Sequence, residues 1–237
     1  MKNYLLLLTA LLSLSNCQKD PAPPLLALPG QYYSANEIVA QPIRMYTQQG
    51  EVLNDALIED FIHREYEPSG FLRTNQAIGD SLLLLTIPEK GPATLVSKTF
   101  YPTDFAQAQV SGQTHDSFTL TRVDSIQLLL PTTPPLRCAV LGDQIEKALP
   151  SRRCVPIVNQ IGYSQLCWLK PAYAIGIRDG QLYLPALNYL VKSAAPGSRC
   201  LFSRGSRWNL FNPALRNQLL AGDTLVVQIN EVALLKK

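Results

Sequence analysis

Apolar and polar residues alternate with a period of two along much of the chain, and this pattern predicts short β-strands. Two stretches, Ser81 to Ile87 and Ala93 to Phe100, flank the turn-forming residues 88–92 and are typical of a hairpin. Asp179-Gly180 separates two further apolar stretches, and this dipeptide readily adopts the positive φ angles of a type I′ turn. Asp223 to Leu235 closes the chain as one long predicted strand.

Short helical segments are predicted between the strands. Asn54 or Asp55 is a suitable N-cap for a helix that ends before Pro68. The apolar residues of this helix recur at helical spacing: Leu57, Ile58, Phe61 and Ile62. Residues 143–149 predict a helical turn, and Asn212-Pro213 predicts the start of another helix. We therefore expect a mainly β fold, a barrel or a sandwich, with two or three short helices.

The composition indicates a folded chain and argues against several other classes. The chain has 237 residues, of which 46% are hydrophobic and 16% charged, unlike a disordered tail. Its 18 prolines disfavour a helical bundle. The sequence has only 2 histidines, His63 and His115, and it lacks the Gly-x-Ser-x-Gly, His-Glu-x-x-His and P-loop motifs. We therefore assign no catalytic residue from the sequence.

Residues 1–16 have the order of a secretory signal peptide. Lys2 supplies a positive charge, and the largely apolar run Leu5 to Leu12 is too short to span a bilayer of about 30 Å. Leu14-Ser15-Asn16-Cys17 resembles the lipobox of bacterial lipoproteins. The resemblance implies cleavage before Cys17, a diacylglycerol on its sulfur, and an acyl chain such as palmitate on the freed amino group. The alternative is an ordinary signal peptide with an incidental Cys17.

Residues 17–30 form the expected lipidated tether. Gln18-Lys19-Asp20 resembles the lysine-plus-acid signal of surface-displayed lipoproteins of some gram-negative bacteria, and Gln18 differs from the Asp that favours inner-membrane retention. Pro21 to Pro24 predicts an extended spacer of about 3 Å per residue. We expect an outer-membrane lipoprotein, on the periplasmic face or the cell surface, with residues 31–237 as a single mainly β domain.

The start of the folded part carries a further resemblance. Gly30-Gln31-Tyr32 is similar to the Gly-x-Trp opening of lipocalins, with Tyr in place of Trp. The resemblance implies an eight-stranded barrel, which in lipocalins holds a small apolar ligand. It implies no particular binding residue in this chain.

The cysteines that follow Cys17 form an expected disulfide framework, because an even number of cysteines in an exported chain pairs by default. They are Cys138, Cys154, Cys167 and Cys200. The sequence allows three connectivities, and successive local closure favours Cys138 with Cys154 and Cys167 with Cys200. Spacings of 16, 13 and 33 residues include no Cys-x-x-Cys pair and no nearby histidine, so we expect neither a metal nor a cofactor.

Charge is divided unevenly between the two halves of the chain. Residues 18–136 contain 7 basic and 13 acidic residues, a net charge of −6, whereas residues 137–237 contain 13 basic and 5 acidic residues, a net charge of +8. The disulfide-stapled stretch at about 137–210 falls in the basic half, with Arg152-Arg153 just before Cys154.

Within that half, the segment Ser198 to Trp208 interleaves arginines with aromatic residues. Its candidate binding residues are Arg199, Arg204, Arg207 and Trp208. Arginine forks and aromatic rings recognise phosphate, carboxylate and acidic sugars. The alternative is that the arginines pair with the acidic half or merely solvate the surface.

These features favour a binding protein over an enzyme. We expect a non-enzymatic role in which the domain captures an anionic ligand or docks to an envelope protein, while the lipid holds it to the membrane. Nucleic acid is not an expected partner for a tethered envelope protein. The alternative is an envelope hydrolase acting on glycans or lipids, which a pocket with converging carboxylates or a Ser–His pair would support.

Overall fold

Strands make up most of the described chain, as the alternating pattern predicts. The computed structural model describes residues 25–65, 70–78, 83–97, 104–131, 137–148, 151–159, 162–194 and 199–237. In chain order the strands are β1 (Gly30–Ser34), β2 (Glu37–Ile38), β3 (Arg44–Thr47), β4 (Gly50–Val52), β5 (Gln76–Ala77), β6 (Leu83–Ile87), β7 (Ala93–Ser97), β8 (Asp104–Ser111), β9 (Ser117–Arg122), β10 (Ile126–Pro131), β11 (Ser151–Asn159), β12 (Gly162–Lys170), β13 (Ala172–Arg178), β14 (Gln181–Ser193), β15 (Cys200–Trp208) and β16 (Asp223–Lys236). The helices are α1 (Asp55–Glu65), α2 (Arg137–Gln144) and the 3-10 helix Pro213–Gln218.

Eight of these strands close into an antiparallel barrel. Around the barrel they follow the order β1, β6, β7, β8, β9, β13, β14 and β16, and β16 pairs with β1 to close the ring. Strands that are neighbours in the barrel mostly follow one another along the chain, as in an up-and-down barrel. The prediction of a mainly β barrel with a few short helices is confirmed. An eight-stranded barrel is also what the Gly30-Gln31-Tyr32 opening implied, and this agreement concerns architecture alone.

Alternate side chains of the barrel strands fill its interior. On β6, Leu83 and Leu85 are fully buried, whereas Leu84 between them is 41% exposed. Other members of this buried cluster come from strands around the ring: Tyr32, Leu95, Phe118, Leu120, Ile175, Leu182, Val232 and Leu234. The barrel is small enough for side chains to occupy it, and its interior is a packed apolar core.

Local sequence signals place several elements as predicted. Asp179 and Gly180 have φ angles of 51° and 73°, and they join β13 to β14 in the predicted hairpin. Asn54 caps α1, its Oδ1 accepting a hydrogen bond from the Leu57 amide at 3.2 Å. Asn212 caps the 3-10 helix by accepting from the Ala214 amide.

One predicted helix is misplaced. The expected helical turn at 143–149 is wrong, because α2 ends at Gln144. Its buried residues Cys138 and Leu141 lie earlier, and they pack against the strands beyond the barrel. The helix therefore starts at Arg137, six residues before the predicted turn.

Two barrel strands continue past the barrel and build a second lobe. β14 and β16 pair along nearly their whole length, and beyond the barrel β15 flanks β14 while the β3–β4 hairpin flanks β16. The result is a sheet with the order β15-β14-β16-β3-β4. One face of this sheet packs against α2 and the 3-10 helix, and the other packs against α1. Each face of the extended strands is therefore covered by a helix.

A buried polar cluster marks the junction between barrel and lobe. Gln228 and Asn230 of β16 are each 1% exposed. Gln228 Nε2 donates to the carbonyl oxygens of Gln41 and Leu72, both at 2.7 Å, and Asn230 Oδ1 accepts from the Gln41 amide at 3.0 Å. Because these buried groups are paired, they fix the backbone of residue 41 beside β16.

A separate three-stranded sheet extends from the barrel between β9 and β13. Its order is β10-β12-β11, so that β12 is central and β10 and β11 are its edges. Leu128 and Leu129 on β10 are 41% and 57% exposed. This sheet carries a groove that is lined by basic side chains.

The four cysteines form two disulfides as predicted, but the favoured pairing is wrong. The bonds join Cys138 to Cys200 and Cys154 to Cys167. Cys154 and Cys167 lie directly opposite each other on β11 and β12, so the register of this strand pair brings their side chains together. Cys138 lies in α2, which packs against the sheet whose edge strand begins at Cys200. Strand register and helix packing therefore set the connectivity.

The predicted lipid anchor Cys17 and the predicted signal peptide at residues 1–16 lie outside the described residues. Within the described residues, no helix is both long enough and apolar enough to cross a membrane.

Candidate functional site

The predicted binding residues Arg199, Arg204 and Trp208 line neither a groove on the three-stranded sheet nor a groove along β16. Trp208 packs against the apolar core of the barrel. The guanidinium carbon of Arg204, an exposed residue, lies 5.1 Å from the centre of the Phe202 ring. Arg199 is exposed just before β15, and the side chain of Arg207 lies outside the described residues. A binding role for this segment stays a prediction.

A basic groove lies on the three-stranded sheet. Its volume is about 590 Å³, and its lining includes Ser125, Ser151, Arg152, Arg153, Trp168 and Lys170. The strand register explains the grouping, because Arg153 lies directly opposite Trp168, and Ser151 lies directly opposite Lys170. Side chains of opposed residues point to the same face of a sheet. Two basic groups and an aromatic ring therefore share that face.

The basic side chains of this groove have no ion-pair partner among the described residues. Arg152, Arg153 and Lys170 are all exposed, and the described carboxylates that form ion pairs do so with other cations. Asp124 illustrates this, since its Oδ2 lies 2.7 Å from Arg122 Nη2. The hydrogen bond from Arg122, assisted by the charge of Lys170, lowers the pKa of Asp124. Asp124 therefore offsets part of the charge of Lys170, but among the described residues the lining itself holds three cations and no carboxylate, so the groove keeps a net positive charge.

A second groove, which we call the β16 groove, follows the outer face of β16 where the barrel meets the lobe. Its volume is about 310 Å³. Its apolar lining comes from Val227 and Ile229 of β16, which we call the floor, and from the aromatic residues Tyr183 and Phe211, which we call the sides.

Charged and amide side chains lie at the rim of the β16 groove. Arg178 Nη1 lies 3.2 Å from Glu231 Oε1, and Arg178 Nη2 lies 2.5 Å from Glu231 Oε2. Gln41 Nε2 donates to the same Oε2 at 3.4 Å. The hydrogen bonds to Glu231 and its negative charge raise the pKa of Arg178. Beside Val227, Arg44 forms a hydrogen bond with the Tyr46 side chain, and this raises the pKa of Arg44.

The ring of Tyr183 is held in place by a glycine on the neighbouring strand. A Cβ atom at Gly176 would lie 2.1 Å from the ring carbon Cζ of Tyr183, so the ring covers the bare backbone there. Arg178 packs on the Tyr183 ring, with its guanidinium carbon 5.1 Å from the ring centre. Burial, and then the charge of Glu231, raises the pKa of Tyr183. The phenol therefore stays protonated at neutral pH and keeps its hydrogen-bond donor.

Sequence reasoning noted Arg152-Arg153 but missed both grooves. Trp168 and Lys170 come from the strand opposite those arginines. The lining of the β16 groove extends from Gln41 to Glu231, which is most of the described chain. One local signal was present, because a glycine inside an apolar strand, here Gly176, often marks a close approach over the backbone.

Comparison with known proteins identifies no relative: no family model, no curated protein and no solved structure matches this chain. Within the described ranges, no group of three or more His, Cys, Asp or Glu side chains could hold a metal ion. Function is therefore inferred from the two grooves and from the leader sequence.

Proposed function

We propose that this protein is a lipid-anchored envelope protein that binds an anionic ligand in the basic groove, in a non-enzymatic role. The observation that carries the proposal is that Arg153 and Lys170 share one face of the sheet with the half-buried ring of Trp168. Arg152 lines the same groove from the edge strand β11, and none of the three cations has an ion-pair partner among the described residues. Guanidinium groups fit the oxygens of phosphate, sulfate and carboxylate through paired hydrogen bonds, and the ring offers a stacking surface.

The disulfide between β11 and β12 supports this proposal. It joins directly opposed residues of the two strands that supply the basic groove. The cross-link holds the strands in register before a ligand arrives, so binding loses less conformational entropy. Two disulfides also suit an exported protein, since such bonds persist in oxidising compartments.

The alternative, an envelope hydrolase, draws no support from the grooves described here. Within the described residues, the basic groove has no carboxylate in its lining. The β16 groove has one, Glu231, and it is ion-paired to Arg178. Acid–base cleavage of a glycosidic bond commonly uses two carboxylates on either side of that bond. We therefore place no catalytic role on any described residue.

Anchoring through Cys17 is tested by changing Cys17→Ala. We expect the variant to lose its acyl chains and to leave the detergent phase of a phase-partition experiment, because stable attachment of such a protein needs two or more acyl chains. Mass spectrometry of the N-terminal peptide supplies the control by showing the lipid on the unaltered protein. Unchanged detergent partitioning of the variant would contradict lipidation at Cys17.

The basic groove is tested by reversing its charges together, in the variant Arg152→Glu, Arg153→Glu and Lys170→Glu. The probe is dextran sulfate, and binding is measured by calorimetry with full-length protein in detergent at two salt concentrations. We expect the affinity to fall roughly 100-fold, since each cation near an anionic surface contributes on the order of 1 kcal/mol. We also expect the wild-type affinity to fall as salt rises.

The matched control reverses three exposed lysines outside both grooves, Lys90→Glu, Lys147→Glu and Lys237→Glu, and so carries the same change in net charge. It should lower the affinity far less than the triple reversal in the basic groove. Equal losses in the two variants would show that only the overall charge matters, and the basic groove would then be no site. Uncharged dextran, added in parallel, should not bind there.

A further inference from the structure

We propose that the β16 groove is a second binding site, independent of the basic groove, and that it takes the pyranose ring of a neutral saccharide. A pyranose has a C–H face that packs on apolar and aromatic surface, and a rim of hydroxyl groups that each donate and accept hydrogen bonds. The β16 groove has the same division, with an apolar floor and a polar rim.

The floor and sides match the C–H face of a sugar. Val227 and Ile229 form the floor, with half-buried Tyr183 and Phe211 at the sides. Tyr183 is already held over Gly176, so its ring needs no ordering when a ligand arrives. The volume of about 310 Å³ lies at the lower end of the range for ligand sites. That size suits one or two sugar rings.

The rim matches the hydroxyl groups. Glu231 and the amide oxygen of Gln41 are acceptors, and the guanidinium groups of Arg44 and Arg178 are donors. The Arg178–Glu231 pair fixes one end of the groove in advance, with the Glu231 side chain only 14% exposed. Donors and acceptors that are held in place before binding favour a hydroxylated ligand, because they need little further ordering when it arrives.

Other ligand classes fit the groove less well. An acyl chain would cover the exposed guanidinium groups of Arg44 and Arg178 without replacing their hydrogen bonds to water, which costs free energy. Glu231 would repel an anionic ligand, and Arg44 and Arg178 would repel a cationic one. The lining itself carries one positive side chain, Arg44, and one negative side chain, Glu231, so its charges balance. A neutral ligand with both an apolar face and hydroxyl groups satisfies floor and rim together.

The test uses saturation-transfer NMR on the full-length protein in detergent, with cellobiose, lactose and N,N′-diacetylchitobiose as probes. We expect saturation to reach the ring protons of at least one of these neutral disaccharides. Tyr183→Ala removes one side of the groove, and Glu231→Gln removes the charged acceptor while keeping the side-chain shape. Each variant should weaken binding about tenfold.

Tyr33→Ala is the matched control for the tyrosine variant, because Tyr33 is an exposed tyrosine on β1 outside the groove. Disaccharide binding should be unchanged in Tyr33→Ala and in the triple charge reversal of the basic groove. Circular dichroism confirms that each variant is folded, and Glu231→Gln keeps the test valid where Tyr183→Ala fails to fold. Absence of transfer to all three sugars, or undiminished transfer in both groove variants, would overturn the proposal.

Discussion

Replacing Cys138 and Cys200 together with alanine is expected to lower the free energy of unfolding by about 4 kcal/mol. The two residues are 62 positions apart, so their bond closes a long loop that contains two strands of the three-stranded sheet, β11 and β12, and two barrel strands, β13 and β14. The entropy lost by the unfolded chain grows with the length of the closed loop, and a loop of this size corresponds to about 4 kcal/mol. Urea unfolding at equilibrium, followed by circular dichroism, measures the change.

The other disulfide provides the internal comparison. Cys154 and Cys167 are separated by 13 positions, and replacing both with alanine should cost about 3 kcal/mol. Both double variants leave one native disulfide and no unpaired thiol among these four cysteines. A larger loss from the short loop than from the long one would contradict this account. An alkylating reagent that labels these four cysteines in the unreduced wild-type protein would show free thiols and so contradict the presence of the two disulfides.

Changing Asp223→Ala is expected to lower the free energy of unfolding by about 3 kcal/mol. The Asp223 side chain is fully buried, and its Oδ2 accepts from Arg137 Nε at 2.8 Å and from the Leu220 amide at 2.9 Å. Arg137 Nη2 also donates to the Gln218 carbonyl at 2.9 Å. This network ties the first residue of α2 to the end of the 3-10 helix and the start of β16. Removing one member of such a buried pair leaves the other charge uncompensated.

The figure of about 3 kcal/mol is at the low end for a buried pair, because the Arg137 side chain is 25% exposed and can reach water. Asp60→Ala is the matched control, since it also removes an aspartate and the Asp60–Arg64 pair on α1 is exposed on both sides. It should change stability by less than about 1 kcal/mol. Similar losses of unfolding free energy in the two variants would show that the buried Arg137–Asp223 pair stabilises the fold no more than an exposed pair does.

The same carboxylate predicts a dependence on pH. Burial raises the pKa of Asp223, but the hydrogen bonds from Arg137 and the Leu220 amide outweigh it, so the net pKa is lowered from its ordinary value of 3.8. A lowered folded-state pKa stabilises the fold above pH 3.8, and this contribution disappears as the pH falls through the folded-state value. The stability difference between wild type and Asp223→Asn should therefore shrink in acid. A difference that stays constant from neutral to strongly acidic pH would contradict the assignment.

Elements with a local cause were predictable from the sequence. Asp179-Gly180 forms its hairpin because the preference for positive φ is a property of those two residues. Asn54 caps α1 and Asn212 caps the 3-10 helix because each side chain reaches an amide two or three positions ahead. The last strand follows from its alternation, with β16 spanning Asp223–Lys236. These signals also predicted the fold class.

The cysteines show where local reasoning ends. Their even number predicted two disulfides, but proximity along the chain predicted the wrong partners. Cys138 pairs with Cys200 because α2 packs on the sheet that β15 borders, and this contact joins parts of the chain 62 residues apart. No local propensity encodes such a contact.

The sequence by itself determined that the chain is rich in β-strands, carries a signal-like leader, and concentrates basic charge after residue 136. Only the tertiary structure decided which charged side chains lie beside an aromatic ring and which line a groove. Arg153 faces Trp168 because β11 and β12 pair in that register, and a shift by one residue would turn Trp168 to the other face. Gln41 lies beside Glu231 because the polar junction holds it there. Register and long-range packing depend on the whole core, which no short stretch of sequence contains.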